Sequence, residues 1–100
     1  MTNENIKIQL SKKQANGYVI ALGPINLVSI ITDIGMVACG AYDVAALDKF
    51  SIPAAKCSSP KGPIANIDDL LNAQVKEANA SAINLGIKTG MTGKEALELM

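Results

Sequence analysis

The residues best equipped for chemistry fall in three runs. The first is Thr89-Gly90-Met91-Thr92-Gly93-Lys94-Glu95. Two glycines border a helix start there, with Lys94 in its first turn. Free backbone N–H groups and the positive end of the helix dipole make such a terminus a candidate anion site. Lys94 would add a point charge, and the Thr89 and Thr92 hydroxyls could donate. The run is not a P-loop: Lys88 stands where the first glycine of that motif belongs, and Glu95 where its Ser or Thr belongs. The plainer reading is a capped turn. Thr92-Gly93-Lys94-Glu95 has the spacing of a capping box, in which Thr92 receives the Glu95 amide and Glu95 folds back.

The second run is Cys39-Gly40 with Asp43, at the end of an apolar strand. Ligands of α/β sheets gather beyond the C-terminal ends of parallel strands. A thiol there could act as a nucleophile, Gly40 would let a ligand approach closely, and Asp43 suits a helix N-cap. The plainer reading of Cys39 is a small buried side chain in a core strand. The third run, Lys56-Cys57-Ser58-Ser59-Pro60-Lys61-Gly62, offers two lysines and two hydroxyls around a possible anion pocket, or simply a solvated loop. Asp68-Asp69 fits the acidic first turn of a helix better than a magnesium site.

What is missing narrows the chemistry further. The chain has no His, no Arg and no Trp, and every basic residue is Lys. Without His there is no Ser-His-Asp triad, no Cys-His dyad and no imidazole metal ligand. Without Arg there is no fork-shaped clamp for phosphate or guanine. Nine basic residues balance nine acidic ones, and with three aromatics this argues against nucleic-acid binding. Cys39 and Cys57 are too far apart in sequence for a CxxC motif. No metal and no cofactor is expected. No stretch approaches the roughly 20 apolar residues of a membrane span, and the polar Met1–Asn5 segment does not resemble a signal peptide, so a cytoplasmic location with reduced thiols is expected.

These residues need a scaffold. At 49% hydrophobic and 18% charged, the 100 residues have the balance of one globular domain spanning 1–100. Ile6, Ile8 and Leu10 alternate with Lys7, Gln9 and Ser11, the period of a half-buried strand. Asn16-Gly17 signals a turn, Tyr18–Leu22 a second strand, Leu27–Thr32 a third and Met36–Ala41 a fourth. Asp43 caps a helix over Val44–Phe50, and Ile52–Cys57 is a fifth strand. That order implies a crossover and a parallel pair. Ile67, Leu70, Leu71, Val75, Ala78 and Ala82 recur at helical spacing, predicting one long helix that ends at Gly86, a glycine cap supported by Ile87. Asn79-Ala80-Ser81 matches a glycosylation pattern but would lie inside that helix. A last helix starts at Thr92. The expected fold is α+β, a mixed sheet of about five strands packed with three helices.

The block Gly90-Met91-Thr92-Gly93, within Gly86–Leu97, resembles the signature of the YunC-like family of small bacterial and archaeal proteins. Ala38-Cys39-Gly40 and Ile67-Asp68-Asp69-Leu70-Leu71 fit the same pattern, so the resemblance runs from about Leu27 onward. The family commonly has Arg where this chain has Lys94. The resemblance implies a compact α/β fold and no assigned reaction.

Two functional classes stay open. One is a structural, regulatory or partner-binding module that forms a homo-oligomer. It is motivated by the weak catalytic inventory and by third and fourth strands apolar on both faces. The other is a protein or enzyme for a small anionic or carbonyl ligand, with Thr89, Gly90, Thr92, Gly93 and Lys94 binding, Gly40 and Asp43 nearby, and Cys39 as nucleophile.

Overall fold

Alternating and β-branched apolar residues build the first half of the chain into a meander of strands. In the computed structural model, which describes residues 3–100, these are β1 (Glu4–Gln9), β2 (Gln14–Leu22), β3 (Ile25–Ile31) and β4 (Met36–Ala38). The second half adds α1 (Val44–Asp48), β5 (Ala54–Ser58), α2 (Ile67–Asn72), β6 (Gln74–Ala78), α3 (Ala80–Ile83) and α4 (Gly93–Glu98). All six strands form one sheet in chain order. Neighbours are antiparallel except β4 and β5, which pair in parallel across the α1 crossover, as the strand–helix–strand pattern requires.

The α+β class is as expected, but the element count differs. There are six strands and four short helices, where five and three were expected. The single helix expected from Ile67 to Leu85 is three elements, α2, β6 and α3. The Asn16-Gly17 turn also fails. Both residues lie inside β2, and the chain turns instead between β1 and β2, where the Leu10 N–H donates to the Lys13 carbonyl at 2.8 Å. Gly17 is buried there, and a Cβ would make the flexible ends of the Ile8 and Ile67 side chains shift.

The two faces of the sheet differ. On one, Val19, Val28, Ile30, Val37, Ala55 and Val75 meet Ile67 and Leu70 of α2 and Ala96 and Leu97 of α4 in the main core. On the other, α1 packs on β5. Val44, Ala38 and Ala54 are buried on this side, outside the main cluster. The rest of this second face carries Tyr18, Ile20 and Leu22 of β2 opposite Ser29, Leu27 and Ile25 of β3. The helix that contacts these two strands, α2, lies on the core side.

Asn79 joins the elements at the β6–α3 corner. Its Oδ1 accepts from the Ala82 N–H at 2.9 Å, capping α3, and from the Ala54 N–H at 3.1 Å. Its Nδ2 donates to the carbonyls of Val44 at 3.0 Å and Ile52 at 2.8 Å. The buried amide therefore leaves no hydrogen atom unused, and it is not available to a glycosyltransferase. At the other end of α3, Gly86 has φ +97. Its N–H bonds to the Ile83 carbonyl, and the Ile87 N–H reaches back to Ala82, a Schellman closure with Ile87 fully buried.

Asn79→Ala removes one cap and leaves up to four buried backbone groups without partners. It should lower unfolding stability by about 3 kcal/mol in urea titration. Asn84→Ala, whose side chain is exposed, should stay within about 0.5 kcal/mol of wild type. Equal effects of the two substitutions would contradict the assignment.

Candidate functional site

The end of β4 is fixed by a two-way clamp between Cys39 and Val28. The Cys39 N–H donates to the Val28 carbonyl at 3.0 Å, and the Val28 N–H donates to Cys39 Sγ at 3.5 Å. The chain then turns at Gly40, which is exposed and has open space where a Cβ would sit. Asp43 follows as the N-cap of α1, its carboxylate accepting from the Ala46 N–H at 3.1 Å.

Cys39 and Gly40 line a cavity of about 160 Å³ together with Cys57, Ser58, Ser59, Gly62, Pro63 and Ile64. Cys57 is the second thiol of this site. Sequence spacing separated it from Cys39, yet the signal was present in the crossover. The parallel register Met36↔Ala54, Val37↔Ala55, Ala38↔Lys56 ends one residue before Cys39 and Cys57 on the two strands. Burial pushes the Cys57 thiol up to about 12. Both cysteines are free. Ser59, Gly62 and Pro63 also border a neighbouring cavity of about 330 Å³ that reaches Lys61, Asp68 and Asp69. Asp69 there accepts from the Ala65 N–H, closing the turn before α2. Among the described residues, no group of three or more His, Cys, Asp or Glu side chains could hold a metal ion.

The Thr89–Glu95 run sits elsewhere. Gly90 has φ +93, and its N–H donates to the Val75 carbonyl at 2.9 Å, while the Val75 N–H donates to Met91 at 2.7 Å. Residues 90–92 thereby flank the outer edge of β6. The capping box is complete: the Glu95 N–H donates to Thr92 Oγ1 at 3.1 Å and the Thr92 N–H to Glu95 Oε1 at 3.0 Å. The Gly93 N–H donates to the Ala73 carbonyl at 2.9 Å. Gly93 is buried against the Leu70 carbonyl so closely that any Cβ would collide with it. These bonds take up the Thr92, Gly93 and Glu95 N–H groups that an anion would need, and the Glu95 carboxylate faces the same end.

Thr89 is exposed beside Ile83 and Lys88 at a different cavity. Lys94 is exposed on α4. The Ser11 hydroxyl and N–H donate to the Glu98 carboxylate at 2.6 and 2.9 Å. They hold it below the usual glutamate range, and the charges of Lys94 and Lys12 add to the effect. The structure thus brings Cys39 and Gly40 together with Cys57, and Thr92, Gly93 and Lys94 together at the start of α4. The two groups line no common cavity, and Asp43 lines neither.

Residues 38–100, from the end of β4 through α4, match the family model described as a domain of unknown function, DUF1805. The chain belongs to this family. It is 31% identical over 90 residues to the uncharacterized protein YunC of Bacillus subtilis (strain 168), covering 90% of this chain and 89% of that one. A crystal structure of a protein of unknown function from Thermoplasma acidophilum matches 97% of this chain and 91% of its own at TM-score 0.87 and 23% identity. It shares the fold. The YunC-like resemblance read from Gly90-Met91-Thr92-Gly93 is therefore correct, and the relatives carry no assigned reaction.

Two outcomes follow from this geometry. Gly93→Ala should cost about 1–3 kcal/mol in urea unfolding, because the added methyl meets backbone rather than a movable side chain. A neutral result would contradict the close approach. Glu98 has a depressed pKa in the fold, so its contribution is present above the unfolded glutamate pKa and is lost as pH falls through the folded value. Ser11→Ala should lower the urea midpoint at neutral pH, and the gap to wild type should narrow below the ordinary glutamate range. A gap independent of pH would remove the bond from the account.

Proposed function

We propose that the protein works as a self-assembling module, with the open face of β2 and β3 seated on the same face of a second copy. One observation carries this reading: Ile20, Leu22, Ile25 and Ile31 are between 39% and 55% exposed on one continuous face. Soluble monomers rarely leave contiguous apolar patches of more than a few hundred Å² uncovered. The face runs roughly 30 Å along β2 and roughly 15 Å across its neighbours. That footprint, about 450 Å², could form the apolar centre of an interface to which each partner contributes about 800 Å².

A second copy suits this face better than a foreign partner. The patch residues of β2 and β3 include no charged side chain that would select a complementary surface. The chain as a whole has a formal net charge of zero, so two copies do not repel. Two antiparallel sheet faces related by a two-fold axis can stack at about 10 Å with their strands nearly aligned. A domain of this length also gains most from an added interface, because its own core is small.

We also propose a cytoplasmic location, where the resting state of its two free thiols is the reduced one. Cell fractionation of the native organism should recover it with soluble cytoplasmic proteins; recovery outside the cytoplasm would remove that part of the proposal.

Light scattering coupled to size-exclusion chromatography tests the assembly. Wild type should elute as a dimer or a higher even multiple at micromolar concentration. Leu22→Glu places an unpaired charge within the contact, at its hairpin end, and should yield a folded monomer with unchanged circular dichroism. A monomeric wild type, or an oligomer that survives Leu22→Glu and Ile20→Lys alike, would overturn the reading.

A further inference from the structure

We propose that Cys39 and Cys57 form a redox-active dithiol that closes reversibly into an intramolecular disulfide, Cys39 meeting the oxidant and Cys57 resolving it. Two observations place the two residues near each other. The parallel register of β4 and β5 reaches Ala38↔Lys56, one residue before Cys39 and Cys57 on the two strands. Both side chains also line the same small cavity. Neighbouring strands run about 4.8 Å apart, inside the Cα separation of about 4.4–6.8 Å that a disulfide accepts. Both residues lie where the ladder loosens. Cys39 is past the last residue of β4, and the β5–β6 register shifts between Lys56 and Cys57.

The two thiols are unlike, and the difference assigns their roles. Cys39 is 6% exposed and Cys57 1%. Gly40 presents open space next to Cys39, giving a small oxidant a route to its sulfur. The Val28 N–H points at Cys39 Sγ and holds the sulfur at the end of β4. Burial disfavours a thiolate at Cys57, so Cys57 is the poorer first target for an oxidant.

The oxidant class is a peroxide. The Cys39 sulfur attacks one peroxide oxygen, the O–O bond breaks, and the thiol proton leaves with the departing oxygen as water. Cys39 is then a sulfenic acid. The Cys57 sulfur attacks the Cys39 sulfur, the S–O bond breaks, and the hydroxide leaves with the Cys57 proton as a second water. Two thiols lose two electrons and one peroxide gains them. A small-molecule thiol restores the pair by exchange. The site lies on the core side of the sheet, opposite the proposed assembly face, so each proposal can fail without the other.

The folded full chain is treated with equimolar hydrogen peroxide, quenched in acid, alkylated and analysed by intact mass and non-reducing peptide mapping. The expected result is joint loss of both thiols, no added oxygen, one peptide linking Cys39 to Cys57, and full reversal by dithiothreitol. Cys57→Ser should stop at a sulfenic acid on Cys39 that dimedone traps; Cys39→Ser should leave Cys57 reduced at the same dose. Two thiols still free in treated wild type, oxygen retained on a single cysteine, or a link between chains would each overturn the proposal. The wild-type result decides whether or not the serine variants fold.

Discussion

The corner at Asn79 is the constraint on which the rest of the architecture leans. A parallel strand pair needs a crossover, and the crossover leaves polar backbone groups in the interior where α1, β5 and α3 converge. One amide supplies partners for four of them, at Val44, Ile52, Ala54 and Ala82. An unpaired buried group costs about 1–3 kcal/mol, so a residue that satisfies several at once outweighs any surface ion pair in this chain. The two ion pairs among the described residues, Lys13–Asp33 and Lys56–Glu77, are both partly or largely exposed. With the corner held, α1 stays on one side of β5 and the sheet acquires two unlike faces.

Those faces divide the functional surfaces. The side that receives α2 and α4 is closed, and it contains Cys39 and Cys57 at the rim of the core. The other side is covered by α1 over β5, leaving the long β2–β3 ribbon open. A helix of five residues cannot cover a sheet whose second strand runs for nine. The open face is a consequence of how short the crossover is.

Much of this was legible in the sequence, and the failures have specific causes. Thr92 and Glu95 announce the capping box, Gly86 and Ile87 the Schellman closure, and Met36 through Cys57 the parallel pair. The long helix was misread because β6 imitates one. The register shift beside Lys56 and Cys57 sets Val75 and Ala78, three residues apart, opposite Cys57 and Ala55. A strand with that irregularity repeats its apolar side chains at a helical interval. Asn16-Gly17 misled for another reason. Its glycine answers the Ile67 side chain across the core rather than the needs of a turn. At the site, Cys39 and Gly40 were recognised singly. Their partner Cys57 is near only through the crossover register, which no local motif records. The Gly93 run drew attention as an anion site, although Gly93 is small because the Leu70 carbonyl sits against it.

The central claim is that the β2–β3 face is covered by a second copy in solution. Hydroxyl-radical footprinting across a dilution series reads this directly, side chain by side chain. The account predicts that Tyr18, Leu22 and Ile25 lose reactivity together as concentration rises, while Leu99, exposed on α4 at the core side, stays constant. Constant reactivity at Leu22 and Ile25 through the range in which the protein associates would contradict it.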